Sequence, residues 1–291
     1  MTESGGIRGG LTPDAPVTYG DWVAAPERRT DVVRAGAITN LRDLLDRPGP
    51  LPKTLPLLWH WLAFTPQGRQ ADLGPDGHPR TGAFLPPMAG RSRMFAGATV
   101  TRRGSISVNE PLVRVSTVTG VAPKIGRSGH MLFVTVEHVV TGPRGAVEEV
   151  DTIVYREPGG AVSAHESDVT GWAWRRPVVM DPTMLFRYSA LTYNAHRIHY
   201  DRAYATQAEG YPGLVVHGPL QAVLLADLAE RHSAGASLSS ITFRATAPAF
   251  DTGAFDVCGN PAPDHLDLAV HSDGVTTMVA TVTVEEFREP I

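Results

Sequence analysis

The chain changes its hydrophobic period twice, at matching places in its two halves. Residues 30–46 carry apolar positions at roughly helical spacing, ended by Pro-Gly-Pro at 48–50. An apolar, aromatic run at 55–64 follows, then a polar loop at 65–82. The period then drops to two, and residues 98–108, 112–121, 130–140 and 146–156 alternate as strands of an antiparallel sheet. The second half repeats the order. Residues 181–192 read as a helix with Asp181 as N-cap and Pro182 in its first turn. Residues 202–209 read as a short helix after Asp201. Residues 218–232 give the clearest helix, with an apolar stripe at 220, 223, 224 and 228. Strand-like runs follow at 238–247, 254–259, 265–272 and 275–287.

Each half also turns a strand-to-strand corner at a proline, in ISVNEPL (106–112) and in FRATAPAF (243–250). The polar, glycine-containing segment 157–171 reads as the linker. The pattern predicts an α+β chain in which a helix is wrapped by an antiparallel sheet, twice over. A double hotdog satisfies it, as would other α+β sheet proteins.

Composition narrows the function classes. The 291 residues are 42% hydrophobic and 19% charged, an ordinary globular balance. A net charge of −4 argues against a nucleic-acid partner. No apolar run nears the ~20 residues of a membrane helix. The polar start MTESGGIRGG lacks the apolar core of a signal peptide, and the single cysteine, Cys258, fits a reducing cytoplasm as a packed thiol.

The chemistry concentrates in ALTYNAHRIHYD, residues 190–201. It holds His196 and His199, with Asn194 five before the second histidine and Asp201 two after it. Three readings compete. A metal site would use the histidines with Asp201 or His217, but no zinc-protease motif or cysteine cluster accompanies them. A hydrogen-bonded turn would leave Asp201 as a helix N-cap and His196 and His217 as braces. An acid–base site would place a water between Asn194 and His199, the imidazole taking its proton and the amide orienting it. The start of the 218–232 helix then supplies what such chemistry requires. The Gly218 N–H is unpaired inside the helix and suits a developing oxyanion.

RYSALTYNAHRIHYD and EGYPGLVVHGPL resemble the signature of the MaoC-like (R)-specific enoyl-thioester hydratases and dehydratases. LPLLWHWLAF, GPDGHPRTGAFLPP, SRMFAG and GRSGHMLFVTV extend the resemblance to the type 2 hydroxyacyl-thioester dehydratase branch, which includes the mesaconyl-C4-CoA hydratases. The resemblance covers most of residues 15–290. It implies a degenerate N-terminal hotdog at 15–157, a linker at 158–171 and a catalytic hotdog at 172–290. It further implies reversible hydration of a trans-2-enoyl-CoA to a 3-hydroxyacyl-CoA at one site per chain. His199 would be the base, Asn194 would orient the water, and the Gly218 N–H would be the oxyanion donor. The wider family has Asp where this chain has Asn194, and a serine of some members falls at Ala226.

No metal or cofactor is expected, CoA being part of the substrate. Tyr193, His217, Trp59, His60 and Trp61 are candidates for the substrate pocket. Arg91, Arg93, His60 and Arg197 are candidates for an acyl carboxylate, as in a mesaconyl group. A hotdog shell that binds thioesters without turnover is one alternative. A thioesterase using Asp201 or Glu209 is the other. The expected partner is a small-molecule acyl-CoA, and homodimerisation stays open.

Overall fold

A computed structural model describes residues 22–80, 82–87, 91–126, 129–156 and 170–285. Ten strands form one antiparallel sheet. They are β1 (Glu27–Val32), β2 (Ser92–Gly104), β3 (Pro111–Gly126), β4 (Gly129–Thr141), β5 (Gly145–Arg156), β6 (Trp174–Pro177), β7 (Leu238–Ala245), β8 (Phe255–Pro261), β9 (Leu266–Ser272) and β10 (Val275–Val284). The order across the sheet is β1-β3-β4-β5-β2-β7-β10-β9-β8-β6. Each half of the chain therefore builds a contiguous half-sheet, and the two join where β2 pairs with β7, from Gly97 opposite Arg244 to Thr101 opposite Ser240. This is a double hotdog, its two sheets fused edge to edge.

The join requires a glycine. A Cβ on Gly97 would sit 2.3 Å from the Phe243 carbonyl oxygen, and the register of β2 against β5 shifts between Phe95 and Gly97. On either side of it, Phe95 and Phe243 pack ring to ring at 5.7 Å, and Trp61 meets both edge-on.

The helices differ between the halves. α3 (Gly218–His232) runs against β7–β10 and β2. It is buried all round from Leu220 to Ala229, beyond the predicted stripe at 220, 223, 224 and 228. Its buried polar residues, Gln221 and Asp227, each find partners. Gln221 Oε1 accepts from Thr277 Oγ1 at 2.7 Å, and Asp227 takes Arg176 at 2.8 Å and Arg231 at 2.7 Å. Both arginines also donate to the Leu45 carbonyl at the end of α1 (Ala35–Leu44), tying the halves together. α1 has only ten residues and packs on α2 (Pro182–Thr192) and on the 3-10 turn Trp59–Leu62. Among the described residues the N-terminal half thus has no counterpart of α3, and the inner face of its sheet is left open to a cavity.

Several predicted elements shift. The helix expected from residue 30 begins at Ala35, because Thr30 and Val32, both β-branched, pair with β3 in β1 instead. The second short helix is a π-helical turn, Tyr204–Ala208, whose cap is Asp201 Oδ1 accepting from Tyr204 N at 3.0 Å. β6 was not anticipated; it forms an edge strand on β8. Asp181 caps α2 as expected, accepting from Met184 N at 2.8 Å. Of the expected linker, only residues 170 and 171 lie within the described residues. No helix among the described residues is long and apolar enough to cross a membrane.

Gly97→Ala is expected to force β2 from β7 and cost about 2–4 kcal/mol. Chemical denaturation checks this, and an unchanged midpoint would refute the close-approach argument.

Candidate active site

The catalytic-loop candidates follow directly from the end of α2. Tyr193 takes a left-handed conformation (φ 53°), and Asn194 N donates to Ser189 O at 2.8 Å. Asn194 Oδ1 then accepts from His196 N at 3.0 Å, an Asx turn. That bond fixes the orientation of the amide and leaves its NH2 free of a bond to the turn. A 3-10 turn, Arg197–His199, brings His199 beneath the strand-like segment that Val215 N anchors on Ile198 O.

His199 has a defined tautomer. Its Nδ1 lies 2.7 Å from the Val215 carbonyl oxygen, which can only accept. Nδ1 therefore carries the hydrogen and Nε2 the lone pair. Burial lowers the His199 pKa to about 4 against the opposing effect of the Val215 bond, so the ring is neutral at pH 7. One face stacks on His217 at 3.7 Å, and His196 meets it edge-on at 5.3 Å. His217 is fully buried, shares a hydrogen bond with Ser189 Oγ at 2.8 Å, and touches Tyr188 edge-on. Burial, then the charges of its histidine neighbours, hold His217 well below the ordinary range and bring His196 to about 2.

A loop from the other half docks onto this segment. Gly77 has φ 91°, and a Cβ there would lie 1.9 Å from Ala195 O. Arg197 N donates to Asp76 O at 2.9 Å, and its Nη1 to Pro75 O at 3.0 Å. The loop presents His78, whose Nδ1 is 2.9 Å from Asp76 Oδ2 and whose ring is 4.1 Å from that of His196. Burial alone would raise Asp76, but His78 brings it down to about 2; burial lowers His78. The ligand atoms of Asp76, His78 and His196 lie within 4.8 Å of one another, so among the described residues these three could hold a cation.

A cavity of about 640 Å³ joins the halves, lined by Asn194, Tyr193, His78 and Pro219 at one part and by His60, Trp61, Arg114, His138, Glu149 and Asp151 at another. Arg114, His138, Glu149 and Asp151 of the second group lie on the open inner face of the N-terminal sheet, and His60 and Trp61 come from the 3-10 turn Trp59–Leu62. Strand register sets Ser116 opposite His138 and His138 opposite Glu149. His138 Nδ1 bonds Ser116 Oγ at 2.7 Å, and Glu149 bonds His60 at 2.7 Å and Trp61 Nε1 at 2.9 Å. Burial brings His138 to about 4, and burial with the neighbouring Glu149 charge raises Asp151 well above the carboxylate range.

The structure brings together Asn194, Tyr193, His60, Trp61 and Arg93 as cavity lining; His199, buried in the Arg197–His199 turn, and Gly218 are not part of that lining. Gly218 heads α3 beside Phe95. A Cβ there would meet ordinary contacts at 3.6 and 3.7 Å, so neither crowding nor strain explains the glycine. Three expected substrate contacts are corrected. Trp59 is 2% exposed in the core, with Arg47 over its ring, and lines nothing. Arg197 is committed to Asp201 at 2.7 Å, to Pro75 and to the face of Tyr204. His217 is fully buried and is not part of the cavity lining, which it reaches through Ser189 and Tyr188. Arg91 lies outside the lining too, its Nη1 donating to His130 O at 3.4 Å.

Asp201 is a cap and ion-pair partner, and Glu209 accepts from Tyr204 OH at 3.1 Å. Cys258 is buried, which raises its thiol to about 11. Sequence reasoning missed Asp76, His78, Arg114, His138, Glu149 and Asp151. The signal lay in the strands: with period two, Arg114 and Ser116 share a face with buried Leu112, and Glu149 and Asp151 share one with buried Val147.

The family model described as hydroxyacyl-thioester dehydratase type 2 matches residues 58–251. A mesaconyl-C(4)-CoA hydratase of Chloroflexus aurantiacus is 42% identical over 269 residues, covering 90% of this chain and 96% of that protein. Among solved structures, a MaoC-like dehydratase from Phytophthora capsici is similar with a TM-score of 0.68 at 11% identity, over 91% of this chain and 97% of the other. A 12:0-ACP thioesterase from Umbellularia californica shares the fold more distantly, with a TM-score of 0.52 at 8% identity, over 89% and 97%.

The buried histidines set the acid response. His199 and His138 fold with pKa about 4, against about 6.5 when unfolded. The unfolded chain therefore takes up protons first as pH falls below about 6.5, and stability erodes from there down through pH 4. The melting temperature is expected to fall steadily from pH 7 to pH 5; a flat profile over that range would contradict the dry, neutral histidine cluster.

Proposed function

The chain belongs to the hydroxyacyl-thioester dehydratase type 2 family, and from that membership we propose reversible hydration of a trans-2-enoyl-CoA to a 3-hydroxyacyl-CoA at the Asn194–His199 site. One observation carries the assignment of the base. The His199 Nδ1–H is held by Val215 O in a dry setting, which leaves a neutral imidazole with its lone pair on Nε2. Such a group accepts a proton at pH 7 without first losing one.

The step balances on one water. Its oxygen bonds C3, and the C2=C3 electron pair moves into the thioester as an enolate. His199 Nε2 takes one water proton and returns it to C2; the other stays on the C3 hydroxyl. The Gly218 N–H, at the positive end of α3, holds the enolate oxygen. A glycine there leaves that N–H uncovered, a role its backbone conformation does not otherwise explain. The Asn194 NH2 donates to the water oxygen. Of the two carboxylates considered for thioester hydrolysis, Asp201 is paired with Arg197 and Glu209 with Tyr204.

For the acyl group we propose a short dicarboxylic chain, as in the relative from Chloroflexus aurantiacus. In a mesaconyl-C4 thioester the free carboxylate is attached to C3 itself, so its partner must lie near the reacting carbons. Arg93 lines the cavity, and its charge acts on His78 and His196, which marks it as the cation on that side.

Incubation with mesaconyl-C4-CoA and with crotonyl-CoA tests the reading by mass. One added water on an intact thioester is expected; release of free CoA would mean a thioesterase, and binding without product a non-catalytic shell. His199→Ala is expected to lower kcat/KM by roughly 10²–10⁴-fold. Arg93→Met should cost about 10–100-fold on mesaconyl-C4-CoA with little change on crotonyl-CoA; equal losses on both would discard Arg93 as the carboxylate partner.

A further inference from the structure

We propose that His78, held by Asp76, is the second acceptor for the attacking water, so that the N-terminal half supplies a catalytic residue; this rests on the hydratase reading above. The argument starts from the valence of one water. Its oxygen spends one lone pair on C3 and takes a hydrogen bond from the Asn194 NH2 on the other. Both of its O–H groups then need acceptors, and His199 Nε2 provides one.

Several polar groups around Asn194 already hold one hydrogen bond within the chain. Asn194 Oδ1 already accepts from His196 N at 3.0 Å. Ser189 Oγ is bonded to His217, and Thr192 Oγ1 donates to Tyr188 O. The Ala195 carbonyl accepts from Tyr200 OH at 3.0 Å. His78 differs. It lines the cavity with Asn194, and its Nδ1 faces the Asp76 carboxylate at 2.9 Å. A carboxylate only accepts, so Nδ1 carries the hydrogen and Nε2 presents a lone pair.

The dyad is also built into place. Gly77, between its two members, fits against Ala195 O where no side chain could, and the Asp76 carbonyl accepts from Arg197 N at 2.9 Å. The loop is therefore fastened to the same four residues that separate Asn194 from His199. The His196 ring neighbours both, 4.1 Å from His78 and 5.3 Å from His199.

The proton count is unchanged. His199 removes one water proton and returns it to C2. His78 holds the other hydrogen, which stays on oxygen and becomes the product hydroxyl. In dehydration the same acceptor orients the departing hydroxyl. Asp76 acts through His78 as a positioning residue, fixing its tautomer.

The test uses the full chain with crotonyl-CoA, comparing His78→Ala, His78→Gln, Asp76→Asn and His199→Ala, each checked for folding by circular dichroism. His78→Ala is expected to lower kcat about 100-fold with KM nearly unchanged, since the lost contact is to water. His78→Gln should recover about tenfold of that, its Oε1 accepting where Nε2 did, and it decides the matter if His78→Ala does not fold. Asp76→Asn should give a smaller loss in kcat. If folded His78 variants keep full kcat while His199→Ala is inactive, the dyad is structural and the proposal is overturned with the hydratase reading intact. If His199→Ala is also fully active, the catalytic site itself has been misplaced. A loss confined to KM would make His78 a binding residue, and activity lost to a chelator and restored by zinc alone would make Asp76, His78 and His196 a metal centre; either overturns the proposal.

Discussion

Everything in this molecule hangs on the pairing of β2 with β7. The backbones approach so closely at Gly97 that the Phe243 carbonyl takes the place of a side chain. With that seam closed, a sheet edge that would otherwise face solvent is buried, and the two half-sheets share one core. The C-terminal half fills its core with α3. The N-terminal half is supported across the seam and through the Asp227–arginine–Leu45 clasp, so it can leave its inner face open. The cavity is the direct product of that omission.

The site is dry by construction. His199 and His217 stack face to face among buried apolar residues, with His196 against them, and none gains a carboxylate partner of its own. The environment penalises the imidazolium of each ring, which keeps His199 neutral at pH 7. His78 is hydrogen-bonded to a carboxylate, that of Asp76, and it comes from the opposite half of the chain. The asymmetry between an imidazole bonded to a neutral carbonyl and one bonded to an anion was absent from the linear reading, because Asp76 and His78 lie more than a hundred residues from Asn194.

What the sequence disclosed follows a physical rule. Alternating strands, the Asp181 cap and the buried α3 stripe are local or periodic, and the chain shows them where expected. The Asn194–His199 loop was visible for the same reason: its polar residues crowd into twelve positions. Tertiary pairing overrode local preference at Thr30 and Val32, which join β3. Aromatic content misled at Trp59, whose size suits the core as well as a pocket, and charge misled at Arg197, which is used in tethering a loop. The row formed by Ser116, His138 and Glu149 exists only across three strands, so no single stretch could announce it.

Covalent fusion also releases the halves from symmetry. In a homodimer of hotdogs, a two-fold axis would impose the same residues on both sheets. Every polar group admitted to one inner face would be admitted to the other, against the helix that fills it. Here Arg114, His138, Glu149 and Asp151 line one sheet while α3 lies against the other, packed among Val257, Val270, Met278 and Ala280. One gene product can thus specialise a wall for its ligand without unmaking the wall that holds the helix.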